Sequence, residues 1–392
     1  MSAQERRLRV LHLDHTDAAG GAELALVRML QARPDWTAIL QTPPLASGPS
    51  VWDAMPPGVP RRAVGVRQPA GASSGGPLAL LGFAARLAVQ AIAVRTSAAF
   101  RTADLVDANT ARAAAYGALV ARLSRTPFVV HLRDLVEPEA LGGAGHALMT
   151  RVVLPRADGV LANSGATLAS ARPYLRPDAI AEVVPSASGL TVGAALRLSA
   201  DEPLRTVGML ARIDPWKGQA ELLEAFARAF AGRDIRLQFA GGAPFGHEAY
   251  LESLRSRADE LGIGAQVDLL GHVDDVPRLL DSWDVAVQYS TRAEPLGQNV
   301  LQYLAAGRVV IAADEGGPTE WVADGENGLL VPPRDVDALA AVFTRLDEDP
   351  ALRARLSGAA AATPGLLDDL AVARAHLEVY DRVLAAPGRP VP

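Results

Sequence analysis

The stretch Val285-Ala-Val-Gln288-Tyr-Ser-Thr-Arg292-Ala-Glu294-Pro-Leu-Gly297-Gln-Asn-Val-Leu-Gln302-Tyr-Leu-Ala-Ala-Gly307-Arg-Val309-Val-Ile-Ala312 holds two short apolar runs around a polar loop and a periodic segment. The runs, Val285 to Gln288 and Val309 to Ala312, are short and rich in β-branched residues, as strands buried on both faces are. Between them, Gly297 to Ala306 is spaced as a helix. Strand, helix and strand in this order make a parallel crossover unit.

The same alternation extends outward. Strands are predicted at Leu204 to Leu210, Ile235 to Ala240, Val267 to Leu270 and Gly328 to Val331. The intervening helices are Glu221 to Phe230, His247 to Leu261, Val276 to Asp281, Thr319 to Val322 and Val336 to Leu346. A second series precedes it, with strands at Leu8 to Leu13, Thr37 to Thr42, Leu105 to Ala108, Phe128 to Leu132 and Gly159 to Ala162. Its helices are Ala22 to Gln31, Ala79 to Arg95 and Arg112 to Leu123. The expectation is an α/β chain of two Rossmann-like parallel-sheet domains, residues 1–190 and 204–365, joined by a linker over 191–203. A last helix over 366–385 is expected to pack back toward the N-terminal domain, followed by a frayed tail from Pro387 to Pro392. Such sheets bind ligands at their strand C-termini, so a cleft between the two domains is expected to hold the site.

Composition narrows the chemistry. The chain of 392 residues has no cysteine, which excludes disulfides, thiolate metal sites and cysteine nucleophiles and fits a cytoplasmic protein. The charged opening residues running into a strand suggest no secretory signal. The net charge of −6 divides unevenly: residues 1–200 carry +6 and residues 201–392 carry −12. Between Asp53 and Asp104 there is no acidic residue, while Arg61, Arg62, Arg67, Arg86, Arg95 and Arg101 all fall there. That segment contains the apolar run Leu78 to Val94, too short and too polar for a span. The reading is a mostly buried helix rimmed by arginines, with peripheral contact to an anionic inner membrane face as the alternative.

One lysine, Lys217, stands among 38 basic residues. It lies in Val207-Gly-Met-Leu-Ala-Arg212-Ile-Asp-Pro-Trp-Lys217-Gly218, an apolar strand entering a turn. A compact ammonium beside the Arg212 guanidinium suits converging phosphate oxygens. In Asp17-Ala-Ala-Gly20-Gly21-Ala-Glu23, two glycines at a strand-to-helix turn permit close approach to an anion, although the spaced three-glycine dinucleotide pattern is absent. Glu294 sits just before a helix N-terminus, where it can cap or accept sugar hydroxyls, and Gln302 lies about a turn and a half further on. His131 and Arg133 share one side of a strand end. Asn109-Thr110 and Asn163-Ser164 precede helices and cap them or line a cleft rim. His12, Asp14 and His15 suggest a metal, but with no further ligand close in sequence none is expected.

These motifs resemble family 4 of the retaining glycosyltransferases, which have the two-domain GT-B fold. The resemblance rests on Gly20 to Glu23, Gly208 to Gly218, Phe239 to Gly242, Gly271 to Val276 and Glu294 to Glu320. It implies transfer of a sugar from a nucleotide diphosphate donor, a UDP- or GDP-sugar, with retention; with Arg212, Lys217 and helix N-termini to stabilise the leaving diphosphate, no metal or other cofactor is expected. By resemblance, Arg212 and Lys217 bind the diphosphate, Glu294 contacts the transferred sugar, and His131 or Arg133 lies near it. Gly20, Gly21, Gly242, His272, Val273, Leu296, Gly297, Gln298 and Gln302 form the nucleotide-sugar pocket, with Gln302 on the ribose. The implied acceptor is a glycan, lipid-linked or small-molecule hydroxyl bound mainly by the N-terminal domain; no nucleic acid is implied. The family pairs Glu with a second Glu eight residues on. Gln302 replaces that carboxylate, so a scaffold that binds nucleotide or glycan without turnover is the competing reading.

Overall fold

A computed structural model of the protein describes residues 7–44, 48–68, 77–193, 195, 198–243 and 246–386. The tail expected over 387–392 lies outside the described residues. The chain forms two compact units, one of Met1–Ala187 with Asp369–Pro392 and one of Ser188–Asp368.

The first unit is a seven-stranded sheet. Its strands are β1 (Arg9–Leu13), β2 (Thr37–Thr42), β3 (Arg61–Ala63), β4 (Leu105–Ala108), β5 (Phe128–Leu132), β6 (Gly159–Ala162) and β7 (Ile180–Val183). Its helices are α1 (Gly21–Gln31), α2 (Pro77–Thr96), α3 (Ala98–Thr102), α4 (Ala111–Arg122), α5 (Pro138–Leu148) and α6 (Gly165–Ala171). The spatial order is β3-β2-β1-β4-β5-β6-β7, every pairing parallel. β4, β5 and β6 are buried throughout, as suits their largely apolar composition, and β4 and β5 each bury one polar residue, Asp107 and His131.

The second unit continues with α7 (Gln219–Phe230), α8 (Glu248–Glu260), α9 (Val276–Asp281), α10 (Gln298–Ala305), α11 (Val336–Glu348) and α12 (Pro350–Ala360). Its strands are β8 (Thr206–Leu210), β9 (Arg236–Ala240), β10 (Val267–Gly271), β11 (Val285–Gln288), β12 (Val309–Ala313) and β13 (Leu329–Val331), in the parallel order β10-β9-β8-β11-β12-β13. Both sheets reverse strand order beside their first strand, at β1/β4 and β8/β11. Backbone amides and loop side chains converge there, at the switch point where open α/β sheets take ligands. The final helix α13 (Asp369–Ala385) belongs to the first unit, where it packs on α1, β6 and β7.

One expectation is corrected. α2 is not mostly buried: Leu87, Gln90, Ala91 and Val94 face the core, but Leu78, Leu80, Leu81, Val89 and Ile92 are exposed. Its side chains are apolar nearly all round, so the sequence alone marked no inner face.

Candidate active site

In the second unit, β8 leads into a loop carrying Arg212 and then a single 3-10 turn over Pro215–Lys217. Gly218 follows with φ +80°, and a Cβ there would sit 1.9 Å from the Tyr289 carbonyl oxygen. Only glycine allows that close approach, which brings Lys217 against the loop after β11. There Lys217 pairs directly with Glu294, whose Oε1 also accepts from the Ser290 hydroxyl at 2.7 Å. Glu294 is 8% exposed, so its charge needs these partners. The Trp216 ring is in contact with two cations, with Lys217 Nζ 3.8 Å from its centroid and the Arg292 guanidinium 4.1 Å away. Such stacking orders both flexible cations.

The other predicted residues of this unit lie in the loops after β8, β9, β10 and β11 and in α10. Arg212 is half-exposed, 3.7 Å from Asp214. The carbonyl of Gly242, past the end of β9, accepts from Ile213 N at 2.9 Å, and the His272 side chain is exposed beside Asp274. Val273 packs against the core cluster that contains buried Leu296. Gly297, at φ +72°, leads into α10, which begins at Gln298. Gln302 donates its Nε2 to the Ser188 carbonyl at 3.0 Å. A carboxylate could not donate there. The amide thus holds the first residue of this unit, and its carbonyl oxygen remains an acceptor suited to a hydroxyl.

The first unit builds its polar centre at the C-terminal ends of β1, β4 and β5. Asp107 is fully buried and accepts from His12 Nδ1 at 2.8 Å, His131 Nε2 at 3.1 Å and the Tyr380 hydroxyl at 2.8 Å. Both histidine tautomers are set by their other bonds: Trp36 Nε1 donates to His12 Nε2 at 3.1 Å, and Arg133 donates to His131 Nδ1 at 3.1 Å. Burial alone would raise the Asp107 carboxyl, but the bonds from His131 and His12 outweigh it and hold it well below the carboxylate range. Burial lowers the His131 imidazole. Arg133 also donates to the Asn109 carbonyl at 3.2 Å, to Asn109 Oδ1 at 2.7 Å and to Ser186 Oγ at 2.7 Å. A cavity of about 50 Å³ lies against it, lined by Ala22, Thr110, His131, Arg133, Asp134 and Met149. Thr110 and Ser164 cap α4 and α6, while Asn109 and Asn163 bond to the end of β5 instead.

His12 spends both ring nitrogens on Asp107 and Trp36, whereas Glu23 comes close to His15. Asp14, His15 and Glu23 have potential ligand atoms within 4.8 Å of one another, so a further carboxylate lies nearby after all. Asp14 already accepts from Asn109 Nδ2 at 2.7 Å and from the backbone of His15 and Thr16. Burial pushes His15 down to about 4, with Arg112 adding to the shift. The Glu23 carboxyl folds over Gly20, where a Cβ would meet its Oε2 at 2.5 Å. Burial first, and the Asp14 charge second, push Glu23 up to about 8; burial raises Asp14 to about 6. A carboxyl raised in the folded state binds its proton more tightly there than in the unfolded chain. Its contribution to stability is therefore present below about pH 4.5 and lost as pH rises toward 8. Glu23→Gln is expected to melt higher than the parent protein at pH 9 and to match it near pH 5. Calorimetric melts across that range check this; parallel curves would contradict it.

The sequence did not mark Asp107, Ser290 or Trp216 as site residues. A carboxylate inside the apolar run Leu105-Val-Asp-Ala108 was the one available signal for Asp107, since a charge in a two-sided strand must be paired.

Residues 197–363 match the family described as Glycosyl transferases group 1. Over 164 residues the chain is 34% identical to the lipopolysaccharide core biosynthesis glycosyltransferase LpsE of Rhizobium meliloti, covering 42% of this chain and 45% of LpsE. It is 33% identical over 186 residues to the phosphatidyl-myo-inositol mannosyltransferase of Mycolicibacterium smegmatis, covering 46% of each. The matched stretch thus spans less than half the length of either relative. The structure of Anabaena HepE in complex with UDP and glucose superposes with a TM-score of 0.76 at 25% identity, over 96% of this chain and 100% of HepE. Two parallel-sheet Rossmann-like units with these neighbours define a GT-B protein. The group 1 glycosyl transferase match falls on the second unit, where most of the motifs that resemble family 4 lie.

Proposed function

We propose that the protein is a retaining glycosyltransferase that moves a sugar from a UDP- or GDP-sugar to a hydroxyl of a glycan, lipid-linked or small-molecule acceptor. The observation that carries the reading is the Lys217–Glu294 pair beside Arg212 at the β8/β11 switch point. In this reading Lys217 and Arg212 take the donor diphosphate, and Glu294 accepts hydroxyls of the sugar. The Gln302 carbonyl takes the ribose, His272, Val273 and Gly242 border the base, and Leu296, Gly297 and Gln298 line the phosphate side. The Gly20–Gly21 loop covers the phosphates, and His131 or Arg133 reaches the sugar or acceptor. The bond from the anomeric carbon to the diphosphate oxygen breaks while the acceptor oxygen bonds to that carbon on the same face. The acceptor proton passes to the departing phosphate. The cations Lys217 and Arg212 stabilise that leaving group, so the reaction is proposed to need no metal. HepE was solved with UDP and glucose, which supports a UDP-sugar as the first donor to try. LpsE and the mannosyltransferase, by name, support a glycan or lipid acceptor. We place the protein in the cytoplasm, peripheral on the inner face of the membrane.

Titrating the protein with UDP, GDP, ADP and dTDP in EDTA while following its melting tests the reading. At about a hundred times the dissociation constant, the matching nucleotide should add roughly 2.7 kcal/mol of stability. A shift with one nucleotide supports a metal-independent site and identifies the donor class. No shift with any nucleotide would overturn the reading.

A further inference from the structure

We infer that the outer face of α2 is a surface that lies in the headgroup region of an anionic phospholipid bilayer. This deepens the peripheral location proposed above and rests on that reading only for the side of the membrane. α2 has 20 residues, about 30 Å of helix. Leu87, Gln90, Ala91 and Val94 form its inner stripe, and α2 packs against α4. Leu78, Leu81, Ala85, Ala88 and Ile92 form an outer stripe, spaced three and four residues apart along one face. Leu78 is 85% exposed, Leu81 67% and Ile92 62%. A continuous exposed apolar line with large side chains at both ends and alanines between them marks an interaction surface rather than scattered surface residues.

Charge identifies the occupant. α2, α3 and α4 contain no aspartate or glutamate, while arginines lie on each of them, Arg95 next to the stripe on α2. Arg86 on α2 reaches back to the Arg67 carbonyl, and Arg101 donates to the Thr96 carbonyl at the helix end. Arg95 lies over the Phe100 ring and Arg112 over the Phe83 ring, 5.2 and 5.8 Å from their centroids. The acids between α3 and α4 are engaged inward: Asp104 accepts from Arg9 N, and Asp107 is fully buried. An apolar stripe flanked by cations without acids matches the acyl boundary and phosphates of anionic lipid. A second copy of the chain across the same face would oppose arginine to arginine. The helix lies on the surface and does not span. Gln90 spends both ends of its amide on the backbone of Val64 and Val66, and withdrawing α2 would strip Leu87, Ala91 and Val94 from the core.

The test is co-sedimentation of the full chain with vesicles of phosphatidylcholine alone and of phosphatidylcholine with phosphatidylglycerol. Binding is expected to the anionic vesicles only, and to weaken as salt rises. Arg86→Gln and Arg101→Gln should each weaken it about fivefold at low salt. The double variant Leu81→Glu/Ile92→Glu should not bind at all, while keeping the parent melting curve and nucleotide shift, since these side chains face outward. Vesicle binding is read without turnover, so a failed transferase assay leaves it standing, and the reverse also holds. No sedimentation with anionic vesicles at low salt would overturn the inference. So would equal binding to both vesicle types. A dimer in equilibrium sedimentation that Ile92→Glu dissociates would assign the face to a second copy instead.

Discussion

Lys217→Ala is expected to abolish sugar transfer and to destabilise the protein, and the two losses are separable. The substitution removes the one ammonium at the switch point and leaves the nearly buried Glu294 carboxylate with the Ser290 hydroxyl still donating. Breaking a fully buried pair costs about 3–5 kcal/mol; the partial exposure of Lys217 brings the expectation to about 2 kcal/mol. Adding Glu294→Gln to Lys217→Ala removes the uncompensated charge, so stability should return while transfer stays absent. Denaturant unfolding and donor-consumption assays on the four proteins of this cycle distinguish the outcomes. Wild-type transfer by Lys217→Ala would remove the site assignment, and a double variant whose loss equals the sum of the two single losses would show that the pair carries no coupling.

Asp107→Ala is expected to cost more, about 3–5 kcal/mol, and to act on the first unit. Its carboxylate has 0% exposure and accepts from His12, His131 and Tyr380. Alanine leaves three buried donors without that acceptor, each costing about 1–3 kcal/mol before relaxation. Asp107→Asn can keep a carbonyl where Oδ2 accepts all three bonds but sets its amide N–H groups against His131 Nε2, which lies 2.9 Å from the present Oδ1, so it should recover only part of the loss. Urea unfolding of both variants is the measurement; a loss under about 1 kcal/mol for alanine would mean that water replaces the carboxylate. Because His131 also receives a bond from Arg133, the loss should reach the arginine that borders the first-unit cavity.

The strands of the second unit were legible to within about two residues because strands such as β12 are unbroken apolar segments and β11 is apolar up to Gln288, both buried throughout. β3 was not, since Arg61-Arg-Ala63 is three residues at a sheet edge, paired with β2 alone. Edge strands carry charge for reasons unrelated to a core pattern. α12 was also missed, although Asp349 caps it and Pro350 occupies its first turn, a readable start signal. Within the site, a lone lysine among arginines identified Lys217, but its partner lies 77 residues away and emerges only from the fold. The Asp14–Glu23 proximity was likewise invisible, because two carboxyls nine residues apart across a loop have no fixed spacing. For Gln302 the sequence showed a departure from the family's pattern; the structure adds its bond to Ser188.

The placement of α13 governs when the molecule can become whole during its synthesis. Val372, Ala373, Val379 and Val383 are buried in the first unit, and Tyr380 bonds to Asp107 across 273 residues of chain. The ribosome therefore releases all the strands of the first sheet long before the helix that completes it. Residues 188–368, contiguous in sequence, can finish folding while the earlier sheet still waits with one flank uncovered and Asp107 lacking its tyrosine. The portion made first is the portion completed last.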